Sequence, residues 1–131
     1  MGYNEGVDNP TFIILLLVRS ECVATQREGR YKTRLTKRIE DRFPGCMVLR
    51  LDPSSLQGVP DILVLWGRHW ATLEGKMYEG APTEPNQPYY VELMNSMSFS
   101  AFIHPDNEEE ILHALQHAFE VCGDTCVPQR Q

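Results

Sequence analysis

The fold is decided by the stretch from Gly58 to Lys76, which reads Gly-Val-Pro-Asp-Ile-Leu-Val-Leu-Trp-Gly-Arg-His-Trp-Ala-Thr-Leu-Glu-Gly-Lys. Two apolar runs of strand length flank Gly67-Arg68, and a Gly-X pair in this setting predicts a β-hairpin with a type II′ turn. With a loop of these two residues alone, Asp61 lies opposite Glu74. Directly opposed side chains lie roughly 5 Å apart, so the two carboxylates are expected to repel each other.

Two facing acids at the end of an apolar hairpin predict a cation site. Mg²⁺ is commonly held by one or two carboxylates together with water and phosphate oxygens. Lys76 lies two residues beyond Glu74 and therefore points to the same face of the hairpin. The sequence predicts a divalent cation between Asp61 and Glu74, with Lys76 beside it.

These residues resemble a known signature. Pro60-Asp61 followed by Glu74-Gly75-Lys76 is similar to the PD-(D/E)xK nuclease motif, and its continuation to Gln87 resembles the virus-type replication-repair nuclease (VRR-NUC) branch. Related phage enzymes are Holliday junction resolvase-like endonucleases. The resemblance implies a metal-dependent DNA endonuclease that hydrolyses phosphodiester bonds, on branched or recombination-type DNA, with Mg²⁺ or Mn²⁺ as the cofactor.

The resemblance also implies a role for each residue of the motif. Asp61, Glu74 and the backbone carbonyl of Gly75 are the expected metal ligands. Lys76 is expected to orient the attacking water or to offset charge on the phosphate, although a salt bridge to Glu74 also explains it. Gln87 is expected to support the site from the next helix, with a plain helix-cap role as the alternative. Gly75 replaces the apolar residue that usually stands between the glutamate and the lysine.

One acid of the pattern is missing. Relatives usually place a glutamate early on the first helix, where this chain has Lys32. Glu28 lies one turn earlier on the side of the apolar stripe, so we expect it to substitute as a metal ligand, whereas Glu40 projects to solvent. The missing acid keeps open a catalytically weakened or inactive module that binds DNA or a protein. A third reading, an ordinary α/β binding domain, does not explain the register of Asp61 and Glu74.

Charge is distributed unevenly along the chain. The net charge of −6 over 131 residues argues against a protein that coats nucleic acid nonspecifically. The segment 27–42, however, holds seven of the twelve Lys and Arg residues against three acids. It is either a solvated helix face or a surface that positions phosphates. The expected DNA-binding residues are Lys32, Arg34, Lys37, Arg38 and Arg50.

The rest of the chain predicts one α/β domain with the order α-β-β-β-α-β-α. Apolar residues at every fourth position, from Tyr31 to Phe43, indicate the first helix. The expected core is a mixed four-stranded sheet flanked by helices, of restriction-endonuclease-like type, or five-stranded if the apolar run 12–18 adds a strand. Residues 28–121 form the predicted nuclease-like domain, between an N-terminal arm (1–27) without an assigned role and a tail (122–131).

Two local predictions concern the last two helices. Asn86 is expected to cap a helix with a buried stripe of four residues, namely Tyr90, Val91, Met94 and Met97. Asn107 followed by Glu110 matches a capping box that opens the C-terminal helix.

Sequence features also bear on localisation, metal content and assembly. The apolar run 12–18 is far shorter than the roughly 20 residues that span a membrane, and no signal peptide is evident. Four cysteines without a CxxC pair suggest reduced thiols and a cytoplasmic protein, in a host cell if phage-encoded. A zinc site is excluded because its histidines fall opposite the apolar stripe; its candidate ligands are His113, His117, Cys122 and Cys126. A homodimer is expected if the substrate is a junction.

Overall fold

A computed structural model describes residues 10–52 and 54–121, with side chains from residue 23 onward. Its elements follow the predicted order α-β-β-β-α-β-α. They are α1 (Pro10–Arg42), β1 (Met47–Arg50), β2 (Ile62–Trp66), β3 (His69–Gly75), α2 (Gln87–Met97), β4 (Phe99–Ile103) and α3 (Glu108–Val121).

The sheet is mixed and four-stranded, as predicted. Its order is β1-β2-β3-β4, with antiparallel pairing among the first three strands and β4 parallel to β3. The fifth strand considered for residues 12–18 is wrong, because these residues belong to α1. A short apolar run does not distinguish a strand from a helix by itself. Here the helix begins at Pro10, a residue that suits a first turn, and runs without a break through Gly29.

The central hairpin has the predicted turn and register. Gly67 has a φ of 61°, and all residues with a positive φ in the described chain are glycines. Arg68 therefore has a negative φ, as the second central residue of a type II′ turn requires. Trp66 pairs with His69, and the ladder ends at Ile62 opposite Leu73. The ladder therefore stops one pair before the acids.

The core lies between one face of the sheet and the two helices α1 and α3. The predicted stripe of α1 is buried, and Leu35, Ile39 and Phe43 are fully inaccessible to solvent. It packs against buried residues of β2, β3, β4 and α3, namely Ile62, Val64, Ala71, Leu73, Ile103, Leu112, Leu115 and Phe119. Because side chains alternate along a strand, Thr72 points the other way, and its hydroxyl contacts Met94 of α2 at 3.4 Å. Helix α2 therefore covers the opposite face.

Two details of α2 differ from the sequence-based expectation. Asn86 stands at the N-cap with helical φ and ψ of −97° and −5° and makes no side-chain capping bond, since that bond needs an extended backbone. It packs instead against Gly58, where a Cβ would lie only 2.5 Å from the Asn86 Cβ. Met97 is 65% exposed because it ends the helix, and Ser98 then turns the chain into β4, its hydroxyl donating to the Trp70 carbonyl.

The capping box predicted for α3 is also modified. The side-chain oxygen of Asn107 accepts from the His104 amide at 2.8 Å, so it stabilises the exit from β4. The neighbouring Glu108 is buried and pairs with Arg38 of α1. Within the described part of the chain, no helix combines the length and apolar character needed to cross a membrane.

Candidate active site

The open end of the hairpin faces a cleft of about 550 Å³. It is lined by all four residues predicted as catalytic, namely Asp61, Glu74, Lys76 and Gln87. Glu28, Lys32 and Arg50 lie in the same cleft, whereas Arg34, Lys37 and Arg38 do not line it. The structure therefore unites residues from α1, β1, the hairpin and α2.

Backbone hydrogen bonds at the open end of the hairpin position Asp61, Glu74 and Lys76. The amide of Asp61 donates to Glu74 Oε2 at 3.1 Å, and its carbonyl accepts from the Leu51 amide at 2.7 Å. The amide of Lys76 donates to the Ile103 carbonyl at 2.8 Å, which holds Lys76 beside β4. The predicted proximity of Asp61 and Glu74 is present, although Asp61 meets the side chain of Glu74 instead of extending the ladder.

Gln87 connects the acid and the lysine. Its Oε1 accepts from Lys76 Nζ at 3.0 Å and from the Glu84 amide at 2.9 Å, while its Nε2 donates to Glu74 Oε1 at 2.9 Å. Two donors on one side and a carboxylate on the other determine the orientation of the amide. The side chain of Gln87 is thus committed to the cleft and does not cap its helix.

The surroundings of the Glu74 carboxylate disfavour its ionised form. Its side chain is 3% exposed, and its nearest cation is Lys76 Nζ at 3.6 Å. Burial raises the pKa of Glu74 to about 7, with the nearby charge of Asp61 adding to the effect and Lys32 and Lys76 opposing it. A further positive charge close to Glu74 would favour the ionised form.

One carboxylate oxygen of Asp61 lies near two cationic side chains. Its Oδ2 lies 2.6 Å from Lys32 Nζ and 3.5 Å from a terminal nitrogen of Arg50. Its Oδ1 faces the Gly75 amide at the longer distance of 3.5 Å. One oxygen of Asp61 is therefore ion-paired, and the other is weakly engaged.

Lys32 is not part of an exposed basic surface, which corrects the expectation that it contacts DNA from such a surface. It is 8% exposed, and its Nζ lies 2.5 Å from Glu28 Oε1 in addition to the contact with Asp61. Burial lowers the pKa of Lys32, but the two carboxylates more than compensate and raise it, so the side chain is an ammonium ion. Its position next to Tyr31 of the buried stripe was the available sequence signal.

Glu28 lies at the cleft because α1 continues through Gly29, as its expected role required. Its carboxylate contacts Lys32, whereas Glu40 is exposed. Its role as a metal ligand stays a prediction.

The remaining arginines of the segment fall into two groups, and Lys37 is exposed on the same helix. Arg38 pairs with Glu108 and Glu109, and Arg42 pairs with Glu109 at 2.5 Å, so α3 neutralises this end of α1. Near the cleft, a separate groove of about 830 Å³ is lined by Arg27, Arg30 and Arg34 together with Met77, which directly follows Lys76. The sequence pattern did not separate these two groups because both have helical spacing.

The oxygen donors of the cleft fit one hard divalent cation. Asp61 and Glu74 supply two carboxylates, and burial together with the charge of Asp61 raises the pKa of Glu74 to about 7. Within residues 10–52 and 54–121, no group of three or more His, Cys, Asp and Glu side chains has metal-binding geometry. Two carboxylates completed by carbonyl and water oxygens are nevertheless a set that Mg²⁺ accepts. His113 and His117 are exposed, and the cysteines at 122 and 126 lie outside the described residues.

Comparisons with known proteins support the fold. No family model matches the chain, and no curated protein is similar to it at a significant level. A solved structure described as a VRR_NUC domain superimposes with a TM-score of 0.54 at 24% sequence identity, covering 66% of this chain and 94% of the other. The predicted α/β nuclease-type architecture is confirmed: the chain has the fold of a VRR_NUC domain.

Proposed function

We propose that the chain is a metal-dependent endonuclease that hydrolyses phosphodiester bonds in DNA. One observation carries the proposal: Asp61, Glu74, Lys76 and Gln87 come from three elements and converge in one cleft. The VRR_NUC fold is consistent with this function. Structural packing alone does not explain why an acid, a lysine and a glutamine are buried together at a strand end.

Asp61, Glu74 and the carbonyl of Gly75 would hold a Mg²⁺ or Mn²⁺ ion. When bound, such an ion lowers the pKa of a coordinated water and offsets charge that builds up on phosphate oxygens. Lys76 has a compact ammonium group, 11% exposed, whose position is set by Gln87 and Glu74. It would orient the attacking water or stabilise the phosphate, a role suited to lysine.

The DNA backbone would approach along the groove beside the cleft. Arg27, Arg30 and Arg34 face this groove, and none of them takes part in an ion pair within the described residues. Arg50 adds positive charge at the cleft itself. We therefore place phosphate contacts on the first half of the basic segment, next to the proposed scissile position.

Branched, recombination-type DNA is the proposed substrate, and a homodimer the proposed state on a junction. Symmetric cutting of two strands needs two sites related by a twofold axis. The mass in solution, measured by analytical ultracentrifugation with and without junction DNA, tests this part. A monomeric mass in both conditions contradicts junction resolution and favours a nicking enzyme.

The central test is a cleavage assay on junction, duplex and single-stranded DNA with Mg²⁺, Mn²⁺ or a chelator. We expect metal-dependent cutting that Asp61→Ala abolishes. Asp106→Ala is the matched control, because Asp106 is an exposed aspartate on a turn. Full activity in excess chelator, or an active Asp61→Ala variant, contradicts the proposal.

A second candidate is a module of the same fold that binds DNA or a protein without cutting. The observation that favours it is the ion pair between Lys32 and Asp61, which places an ammonium on a proposed metal ligand. Binding of DNA without cutting by both the parent and Lys32→Glu, in either metal, would select this candidate.

A further inference from the structure

Lys32 lies across Gly75 on its way to Asp61. A Cβ on Gly75 would stand 2.9 Å from Lys32 Cγ and 3.0 Å from Lys32 Cε, closer than side chains pack. The methylene stem of Lys32 therefore occupies the space that a side chain at position 75 would fill.

The backbone of Gly75 does not itself require glycine. Positive φ angles occur at Gly45, Gly58, Gly67 and Gly80, and Gly75 is not among them. Gly75 is a regular residue of β3, where glycine weakens a strand compared with residues that have side chains. Within the described residues, the close approach of Lys32 is the contact that a side chain at this position would obstruct.

The ammonium group of Lys32 lies between two carboxylates, a position that attracts a cation. Lys32 Nζ bridges Glu28 and Asp61 at 2.5 and 2.6 Å, and the contact to Asp61 engages a ligand of the proposed metal site. A monovalent charge held at this distance repels a divalent ion in the same cleft, and burial of the groups weakens the screening by water.

We infer that Lys32 is a resident cation of the cleft, admitted by Gly75, and that it competes with the divalent ion for Asp61. This inference rests on the proposed metal-dependent function. The two departures from the nuclease motif, at positions 32 and 75, are on this view one structural change. Glu28 keeps a partner on the ammonium when the metal takes Asp61, so displacement does not leave a buried charge unpaired.

The consequence is a site that binds metal more weakly than its carboxylates alone would allow. Lys32→Met keeps most of the stem and removes the charge. We expect it to tighten Mn²⁺ binding by at least about tenfold, on the basis of the lost repulsion between neighbouring charges. Calorimetric titration with Mn²⁺ in the absence of DNA measures this directly and does not depend on cleavage.

Gly75→Ala tests the steric part, because the added methyl group should push the stem of Lys32 off Asp61 without changing any charge. We expect Mn²⁺ binding to tighten about threefold or more, in the direction set by the weakened repulsion. In a Lys32→Ala background the stem is absent, so Gly75→Ala should leave the Mn²⁺ affinity unchanged. The background also controls for any direct effect on the carbonyl of residue 75.

The results separate this inference from the function it rests on. Non-additive effects of Lys32→Ala and Gly75→Ala on Mn²⁺ affinity support it. Wild-type, Lys32→Met and Gly75→Ala proteins that bind Mn²⁺ equally would overturn the competition while leaving the nuclease proposal intact. No Mn²⁺ binding by any variant would contradict both. Lys32→Met and Gly75→Ala in the native background decide the question if Lys32→Ala does not fold.

Discussion

Two polar clusters that α1 helps to build show how differently the same residue types behave. The site cluster lines the cleft, and the surface cluster joins Arg38 and Arg42 to Gln116 and the acids of α3. The members of the site cluster are Glu28, Lys32, Asp61, Glu74, Lys76 and Gln87. Lys32 and Arg38 are separated by about 9 Å along the helix axis. The Lys32 side chain is 11% exposed, whereas that of Arg38 is 54% exposed. Helical spacing alone does not distinguish them.

The two clusters behave differently because water reaches the surface cluster more easily than the site cluster. Exposed ion pairs contribute little and are screened by salt, so the pairs of the exposed Glu109 stabilise the contact between α1 and α3 only modestly. The pair of Arg38 with Glu108 is exposed on the arginine side alone. In the cleft, carboxylates removed from water either acquire cations or change their pKa, as Glu74 does. We therefore expect changes in the site cluster to alter chemistry, and changes in the surface cluster to alter little.

The largest difference should appear when one cation of each cluster is removed. Lys76→Ala is expected to lower the rate of DNA cleavage by about 100-fold or more, since in the proposed function it removes a preorganised charge at the phosphate. Arg42→Ala should change the rate less than twofold, because Arg42 does not line the cleft. Single-turnover cleavage rates measure both. Equal rates for the two variants would remove the distinction between the clusters.

A glutamine is available in each cluster for a second comparison. Gln87→Ala should slow cleavage by about tenfold or more, because residues that orient ligands and catalytic groups commonly have effects of this size. Gln116 accepts a hydrogen bond from Arg42 at 3.2 Å, and Gln116→Ala is the matched control with an unchanged rate. If Gln87→Ala is as active as the control, Gln87 does not position Lys76 or Glu74.

Two sets of arginines on α1 can be tested separately. Replacing Arg27, Arg30 and Arg34 with Ala together should weaken binding to all DNA sequences and reduce the salt slope by about 3, at roughly 0.9 per phosphate contact. Replacing Arg38 and Arg42 should leave the slope nearly unchanged, since both already pair with acids of α3. Fluorescence anisotropy at several salt concentrations gives the slopes. A larger change for the second set would contradict the proposed groove.

The two glutamates of α1 provide a smaller comparison. Glu28→Gln should lower the cleavage rate by about threefold, because it removes negative charge from the cation site and a partner from Lys32. Glu40 is exposed, and Glu40→Gln should have no effect on the rate. A silent Glu28→Gln together with a severalfold more active Lys32→Glu would show that Glu28 does not replace the missing acid.

The smallest effect concerns stability in the absence of metal. The pKa of Glu74 is raised from 4.5 to about 7, so its contribution to folding is present below pH 4.5 and is lost as the pH rises through 7. Glu74→Gln should therefore raise the melting temperature at pH 7 in chelator, by about 5 °C for a domain of this size.

Glu109 has the opposite sign and is the control. Its pKa is lowered, chiefly by hydrogen bonding to Arg42, so any contribution is present above the ordinary pKa and is lost as the pH falls. Because Glu109 is exposed and exposed ion pairs contribute little, Glu109→Gln should leave the melting profile nearly unchanged. A melting temperature of Glu74→Gln that does not exceed the parent at pH 7 would contradict the raised pKa.

The sequence by itself determined the element order, the hairpin register and the residues of the motif. These features depend on local chemistry: a Gly-X turn sets the register that brings Asp61 next to Glu74, and period-2 alternation places Lys76 on the same face. The apolar stripe of α1 was predictable for the same reason, since burial follows the helical period.

Only the tertiary structure decided which charges face one another. The separation of Lys32 from Arg38, the partners of Gln87 and the packing of Lys32 on Gly75 all depend on contacts between elements far apart in the chain. The same is true of the capping residues Asn86 and Asn107, whose side chains meet other parts of the fold. Spacing records the face of a helix, but burial and the identity of the opposing surface determine what a charge on that face does.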